Sequence, residues 1–200
     1  MNPVATGGIR LAAAVFAGGR SSRMGRDKAF IVHEGRRLLD CQLGTLRSVR
    51  PMELLISGRP GAAYGATGVR IVLDAMPNQG PLGGLAALLT ATTTPHVLVL
   101  AVDMPHMPAE FLAGLMQRLV PGCGIVPRTA GGWEPLAAIY PREILPRVQA
   151  HLAGGERSIC RLVEAAVAAG ELAPHEVSPA QSHVFSNWNR PEDIGCKSSP

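Results

Sequence analysis

Between Gly18 and Lys28 the chain reads Gly-Gly-Arg-Ser-Ser-Arg-Met-Gly-Arg-Asp-Lys, with three glycines and four basic side chains in eleven residues. Glycines let backbone N–H groups approach an anion closely, and the cations on the same segment add to that pull, so the stretch suits phosphate groups, a triphosphate above all. Lys28 stands out by type. Of nineteen basic residues only Lys28 and Lys197 are lysine, leaving seventeen arginines. An ammonium delivers a compact point charge where a guanidinium presents a planar fork. The spacing matches neither G-x-x-x-x-G-K-[ST] nor G-x-G-x-x-G, which excludes a Walker A loop and a dinucleotide turn. The plain alternative is a glycine-rich strand-to-helix connection with solvated arginines.

Further along, Leu100-Ala101-Val102-Asp103-Met104-Pro105 puts an aspartate just past a strongly apolar run. A hard oxygen ligand there suits Mg²⁺ against phosphates, although an aspartate before Met-Pro also begins turns. Asp74, in Leu73-Asp74-Ala75-Met76-Pro77, has the same two readings in more even balance. In Phe185-Ser186-Asn187-Trp188-Asn189-Arg190-Pro191-Glu192-Asp193, an extended backbone places the amides of Asn187 and Asn189 on one face, where they can orient a phosphate or a metal-bound water. Asn189 equally suits the cap of a helix beginning Arg190-Pro191-Glu192-Asp193. Trp133 and Trp188 are candidates to line a ring, or parts of the core.

These residues need a scaffold that ends strands beside one another. The run from Ile9 to Phe16 reads as a strand buried on both faces. Residues 36–49 carry Leu39, Leu43 and Leu46 at helical spacing before Pro51, then short strands are expected at 53–57 and 69–73. Pro81 opens a helix to about Thr92, and 96–102 is the clearest buried strand. A helix near 108–119, strands at 124–126 and 135–140, and helices near 141–153 and 158–169 complete the pass. Strands alternating with helices predict an α/β fold: one doubly wound, mostly parallel sheet with helices on both faces, Rossmann-like, its ligand at the carboxyl ends of the strands. One domain is expected over 1–195, with a polar tail at 196–200 that frays.

Composition narrows the function classes. Apolar residues make up 46% and charged ones 17%, which excludes a disordered chain. A net charge of +4 without a basic run, and only 4% aromatics, speaks against nucleic acid. No apolar stretch approaches the roughly 18 residues that a membrane span requires. Arg10 followed by the apolar residues 11–17 has the order of a secretory signal, but that run is at the short limit and leads straight into the glycine-rich segment. Cys41, Cys123, Cys160 and Cys196 show no zinc or disulfide spacing, which suits reduced thiols in a cytoplasm. There is no G-x-S-x-G elbow, so a nucleophilic triad is not expected.

The run from Phe16 to Lys28 resembles L-A-G-G-x-S-x-R-M-G-x-D-K of the molybdenum cofactor guanylyltransferases, within the wider nucleotidyltransferase superfamily. The resemblance continues, in order, through Gly80-Pro81-Leu82-Gly83-Gly84, Asp103-Met104-Pro105, Glu134-Pro135-Leu136, Gly155-Glu156-Arg157 and Asn187-Trp188-Asn189-Arg190-Pro191-Glu192. It implies a nucleotidyltransferase fold and transfer of GMP from GTP to the phosphate of molybdopterin-bound molybdenum cofactor, with release of pyrophosphate. By position it implies that Phe16, Ala17, Gly18, Gly19, Arg23, Gly25, Lys28, Ser57, Asp74 and Asp103 bind the nucleotide. Lys28 and Asp103 would be catalytic, Asp103 would hold Mg²⁺, and Asn187 and Asn189 would support the acceptor and its phosphate. Ser57 stands where the family often has asparagine, Arg190 where it has threonine, and Glu134 where some members have histidine. GTP and molybdopterin are the expected partners, with molybdoenzymes and cofactor-delivery proteins as further candidates. Three other readings stay open: a cytidylyltransferase for the same cofactor, a transferase of another phosphorylated acceptor, and a non-catalytic cofactor carrier.

Overall fold

The computed structural model describes residues 10–18, 27–74 and 79–188. Its centre is β1 (Leu11–Phe16), where small and branched apolar residues alternate between two faces. Leu11, Ala13 and Val15 enter one core, while Ala12 and Ala14 enter the other. Such a strand is fully buried only if helices cover both sides, and they do. On the first face lie α1 (Leu38–Ser48) and α3 (Ala109–Met116), through Leu39, Leu43, Leu46, Leu112 and Leu115. On the second lie α2 (Gly80–Ala91), α4 (Leu145–Ala153) and α5 (Ile159–Ala168), through Leu82, Leu85, Leu88, Val148, Leu162 and Val163. Each fully buried leucine contributes about 1.5–3 kcal/mol.

β1 pairs in parallel with β4 (Glu53–Gly58) on one side and β6 (His96–Ala101) on the other, and β4 pairs in parallel with β5 (Arg70–Leu73). Beyond β6 come β9 (Ala137–Pro141), β7 (Gly124–Thr129) and β10 (Leu172–Glu176), in the order β10-β7-β9-β6-β1-β4-β5. β9 runs antiparallel to both neighbours, and the short β8 (Gly132–Trp133) turns back on β7. The expected mostly parallel, doubly wound α/β sheet is therefore the observed one. Because the chain leaves β1 toward β4 and returns on its other side at β6, a crevice must open at the carboxyl ends of these strands. The apolar run after Arg10 is the central strand of this sheet.

Several small elements lie outside the sequence expectations. Val32–His33 (β2) and Arg36–Arg37 (β3) form a hairpin whose turn residues Glu34 and Gly35 both have positive φ, 48° and 76°. β10 was not foreseen, because Pro174 interrupts its pattern. Proline is tolerated there because β10 is an edge strand. A 3₁₀ turn, Pro179–Phe185, precedes the segment carrying Asn187, and the backbone is extended at Ser186 just after it. Asn189 and the anticipated helix at 190–193 lie outside the described residues, as does the tail at 196–200. Among the described residues no helix is long and apolar enough to cross a membrane.

Candidate functional site

At the carboxyl edge of the sheet, Phe16 of β1 stands in register with Ser57 of β4 and with Ala101 of β6. The ladder continues one step past the strands: the Ala17 N–H donates to the Ser57 carbonyl at 2.8 Å, and the Val102 N–H to the Phe16 carbonyl at 3.1 Å. The Ala17 carbonyl in turn accepts from the Tyr64 hydroxyl at 3.2 Å. The Ala17 amide is thus committed to the sheet, and Gly18 is the first residue whose backbone leaves it. Gly19, Arg23 and Gly25 lie outside the described residues.

Two chain-distant motifs meet here. The Lys28 ammonium donates to Asp103 Oδ2 at 2.7 Å, with 17% and 20% of the two side chains exposed. Lys28 opens a 3₁₀ turn, Lys28–Phe30, that Asp27 caps by accepting the Ala29 N–H at 3.1 Å. Asp103 lies two residues past the end of β6, and its stretch is anchored from two further directions. Its carbonyl accepts the Trp188 N–H at 2.9 Å, and the buried Gln42 amide of α1 donates to the Met104 carbonyl. The Trp188 indole is buried with the rings of His33 and His106 on its edges, at 4.6 and 5.7 Å between centroids. Asn187, one residue before Trp188, is exposed and is carried to the Asp103 side by that bond.

A second group converges on the first turn of α2. A Cβ on Gly84 would stand 2.7 Å from Ser57 Oγ, 2.9 Å from the Phe16 ring and 3.3 Å from Asp74 Oδ1. One on Gly83 would stand 3.4 Å from Asp74 Oδ2. The glycine pair therefore lets the helix sit directly against Phe16, Ser57 and Asp74. Burial pushes the half-buried Asp74 carboxyl above its ordinary value. Gly18 faces the same edge with ordinary contacts only, its notional Cβ lying 3.6 Å from the Gly58 carbonyl carbon.

On the far side of Asp103, Ala101 donates to the Leu136 carbonyl at 2.7 Å, so Glu134-Pro135 runs past the same edge. Glu134 is half-buried, accepts from the Thr129 hydroxyl at 3.2 Å, and is pushed above its ordinary value by burial despite that bond. Trp133 is half-buried beneath Arg128, whose guanidinium carbon lies 5.0 Å from the ring centroid. Glu156 by contrast fixes the turn ahead of α5, whose N-cap is Ser158: it accepts the Arg157 and Ser158 N–H groups at 2.9 and 2.8 Å and pairs with Arg161 at 2.7 Å. Those bonds hold its carboxyl below the usual range.

The structure brings Phe16, Ala17, Gly18, Lys28, Ser57, Asp74, Asp103 and Asn187 to one edge of the sheet. Sequence reasoning passed over Arg59, Tyr64 and Gln42, whose contributions are hydrogen bonds across loops that no periodicity records. Only the Asp-Lys pair hinted at them, since a carboxylate beside a functional lysine needs a partner of its own.

The fold is that of the nucleotidyltransferases. The structure of molybdopterin-guanine dinucleotide biosynthesis protein A from Archaeoglobus fulgidus superimposes with a TM-score of 0.74, covering 92% of this chain and 95% of that one at 21% identity. Residues 13–170 match the MobA-like NTP transferase domain, and the chain belongs to that family. A probable molybdenum cofactor guanylyltransferase of Opitutus terrae is 39% identical over 186 residues, spanning 92% of each chain. The molybdenum cofactor guanylyltransferase of Pseudomonas putida is 36% identical over 187 residues, 90% of this chain and 93% of its own length.

Proposed function

We propose that the chain transfers GMP from GTP to the terminal phosphate of molybdopterin-bound molybdenum cofactor, releasing pyrophosphate. The observation that carries this reading is the 2.7 Å contact between Lys28 and Asp103, which joins the two motifs shared with the family at the carboxyl edge of the sheet. In the reaction an acceptor phosphate oxygen forms a bond to the α-phosphorus as the bond to the pyrophosphate oxygen breaks. Two anions must meet, so catalysis comes from positioning and charge neutralisation. Lys28 exchanges its carboxylate partner for the nucleotide phosphates, and the Gly18 backbone approaches them from the end of β1.

Asp103 would hold Mg²⁺, which when bound neutralises phosphate charge. The donor set fits: Mg²⁺ is usually taken by one or two carboxylates together with substrate phosphates rather than by a protein cage. Among the described residues no cluster of three or more His, Cys, Asp or Glu forms such a cage. Asp74, beside Ser57 and the Phe16 ring, offers a carboxylate to the paired N–H donors of guanine. Asn187 and Asn189 are assigned to the acceptor side with Glu134. A cytoplasmic location is part of this reading, and the free thiols of Cys41, Cys123 and Cys160 are compatible with a reducing compartment.

The test is pyrophosphate release by purified protein with Mg²⁺ and molybdenum cofactor, comparing GTP, CTP and ATP. Release with GTP alone is expected. Release with CTP would make the chain a cytidylyltransferase, and delivery of cofactor without any turnover would make it a carrier.

A further inference from the structure

The segment from Gly58 to Tyr64 takes no part in the reaction described above, yet it bonds to both described flanks of residues 19–26. Tyr64 reaches one flank through its hydroxyl on the Ala17 carbonyl, at 3.2 Å. Arg59 reaches the other, donating to Asp27 Oδ2 from Nη2 at 2.8 Å and from Nε at 3.2 Å. The Asp27 side chain is only 7% exposed, whereas that of Arg59 is 45% exposed. Asp27 Oδ1 meanwhile caps the turn that begins at Lys28. The Tyr64 ring stacks on Phe30 of that turn, with centroids 5.6 Å apart and planes 17° from parallel. It also lies so close to β4 that a Cβ on Gly58 would come within 2.5 Å of it. The turn carrying Lys28 is therefore clamped from the end of β4, by charge at Asp27 and by ring contact at Phe30.

We propose that Arg59 is a positioning residue for the nucleotide phosphates, acting through Asp27 to fix the turn that presents Lys28 to the site. The proposal rests on the nucleotide-transfer reading. Without Arg59 a nearly buried carboxylate loses its cation immediately beside Lys28. Such a group either recruits another cation or draws the turn toward solvent, and Lys28 is the next residue along that turn. Either response moves Lys28 away from where phosphates must meet it. The effect is indirect, so it disappears once Asp27 carries no charge.

The experiment is calorimetric titration with GTP and Mg²⁺, without acceptor, of wild type, Arg59→Gln, Arg59→Lys, Asp27→Asn and the Arg59→Gln/Asp27→Asn pair, with Tm recorded for each. Arg59→Gln is expected to weaken GTP binding about tenfold, as loss of a supporting partner commonly does. Arg59→Lys, which keeps the charge, is expected to restore part of that loss even where Arg59→Gln lowers Tm. In the Asp27→Asn background, Arg59→Gln should change affinity less than twofold, the double-variant signature of a shared route. A purely structural bond would lower Tm and leave affinity at the wild-type value, which overturns the proposal. An equal loss in both backgrounds also overturns it, because Arg59 would then act on phosphate directly. Failure of the wild type to bind GTP would overturn the nucleotide reading and this proposal with it.

Discussion

At the level of single residues, the candidate site is organised around a lysine and an aspartate in contact at 2.7 Å. Lys28 and Asp103 are each about four-fifths buried, so removing either takes a close charge partner from a partly desolvated group. Lys28→Ala and Asp103→Ala are each expected to lower kcat/KM for GTP by about a hundredfold or more, measured as pyrophosphate release. Wild-type turnover in either variant would remove that residue from the chemistry. Both stand out in the sequence for reasons of type and place, a rare lysine in an arginine-rich chain and an aspartate just past the most apolar strand, and the fold brings the two together. Arg59 was not, since nothing in its neighbourhood separates it from sixteen other arginines. Only the folded chain shows that its guanidinium meets Asp27.

Among the secondary-structure elements, the glycines of α2 and β7 show how different constraints arise from the same residue type. An alanine at Gly84 gains about 1 kcal/mol of helix propensity, but its Cβ lies within 3.0 Å of Ser57 Oγ and the Phe16 ring. Both neighbours are side chains that can shift, and both belong to the candidate site. Gly84→Ala is therefore expected to leave Tm within a few degrees of wild type while raising KM for GTP. A Cβ at Gly124 instead meets the Ile139 carbonyl oxygen, Leu172 and Pro141, where backbone and a proline ring cannot turn aside. Gly124→Ala is expected to cost about 1–3 kcal/mol in denaturant unfolding. If Gly84→Ala unfolded the protein and Gly124→Ala did not, the division between site and scaffold drawn here would be wrong. The parallel half of the sheet was readable because its buried strands are continuous apolar runs separated by helical patterns. The β2–β3 hairpin and β10 were not, because two-residue strands show no alternation and Pro174 masks an edge strand. The antiparallel course of β9 depends on a tertiary pairing with β6 that its own residues do not encode.

For the whole molecule, the carboxyl edge of the sheet holds charge that folding alone does not favour. Asp74 and Glu134 lie at different points along that edge, and burial raises both above their ordinary values of 3.8 and 4.5. A carboxyl whose folded value exceeds its unfolded one binds its proton more tightly when folded. Its contribution to stability is therefore complete below the unfolded value and is lost as pH rises through the folded one. Glu156 has the opposite sign: its contribution is present above the unfolded value and fades as pH falls through the lowered folded one. A direct pH scan mixes the two, so the informative quantity is the difference between variants. Asp74→Asn and Glu134→Gln remove an ionisation that burial opposes, and each should gain stability relative to wild type as pH rises from about 4 to about 7. At the acid end that relative gain should vanish. Thermal unfolding of the unliganded proteins across that range measures it, and a difference that stays flat would mean that neither carboxyl is held in a desolvated place. The same variants should bind GTP or the acceptor less well at neutral pH, since the charge that burdens the empty fold is the charge a ligand would use.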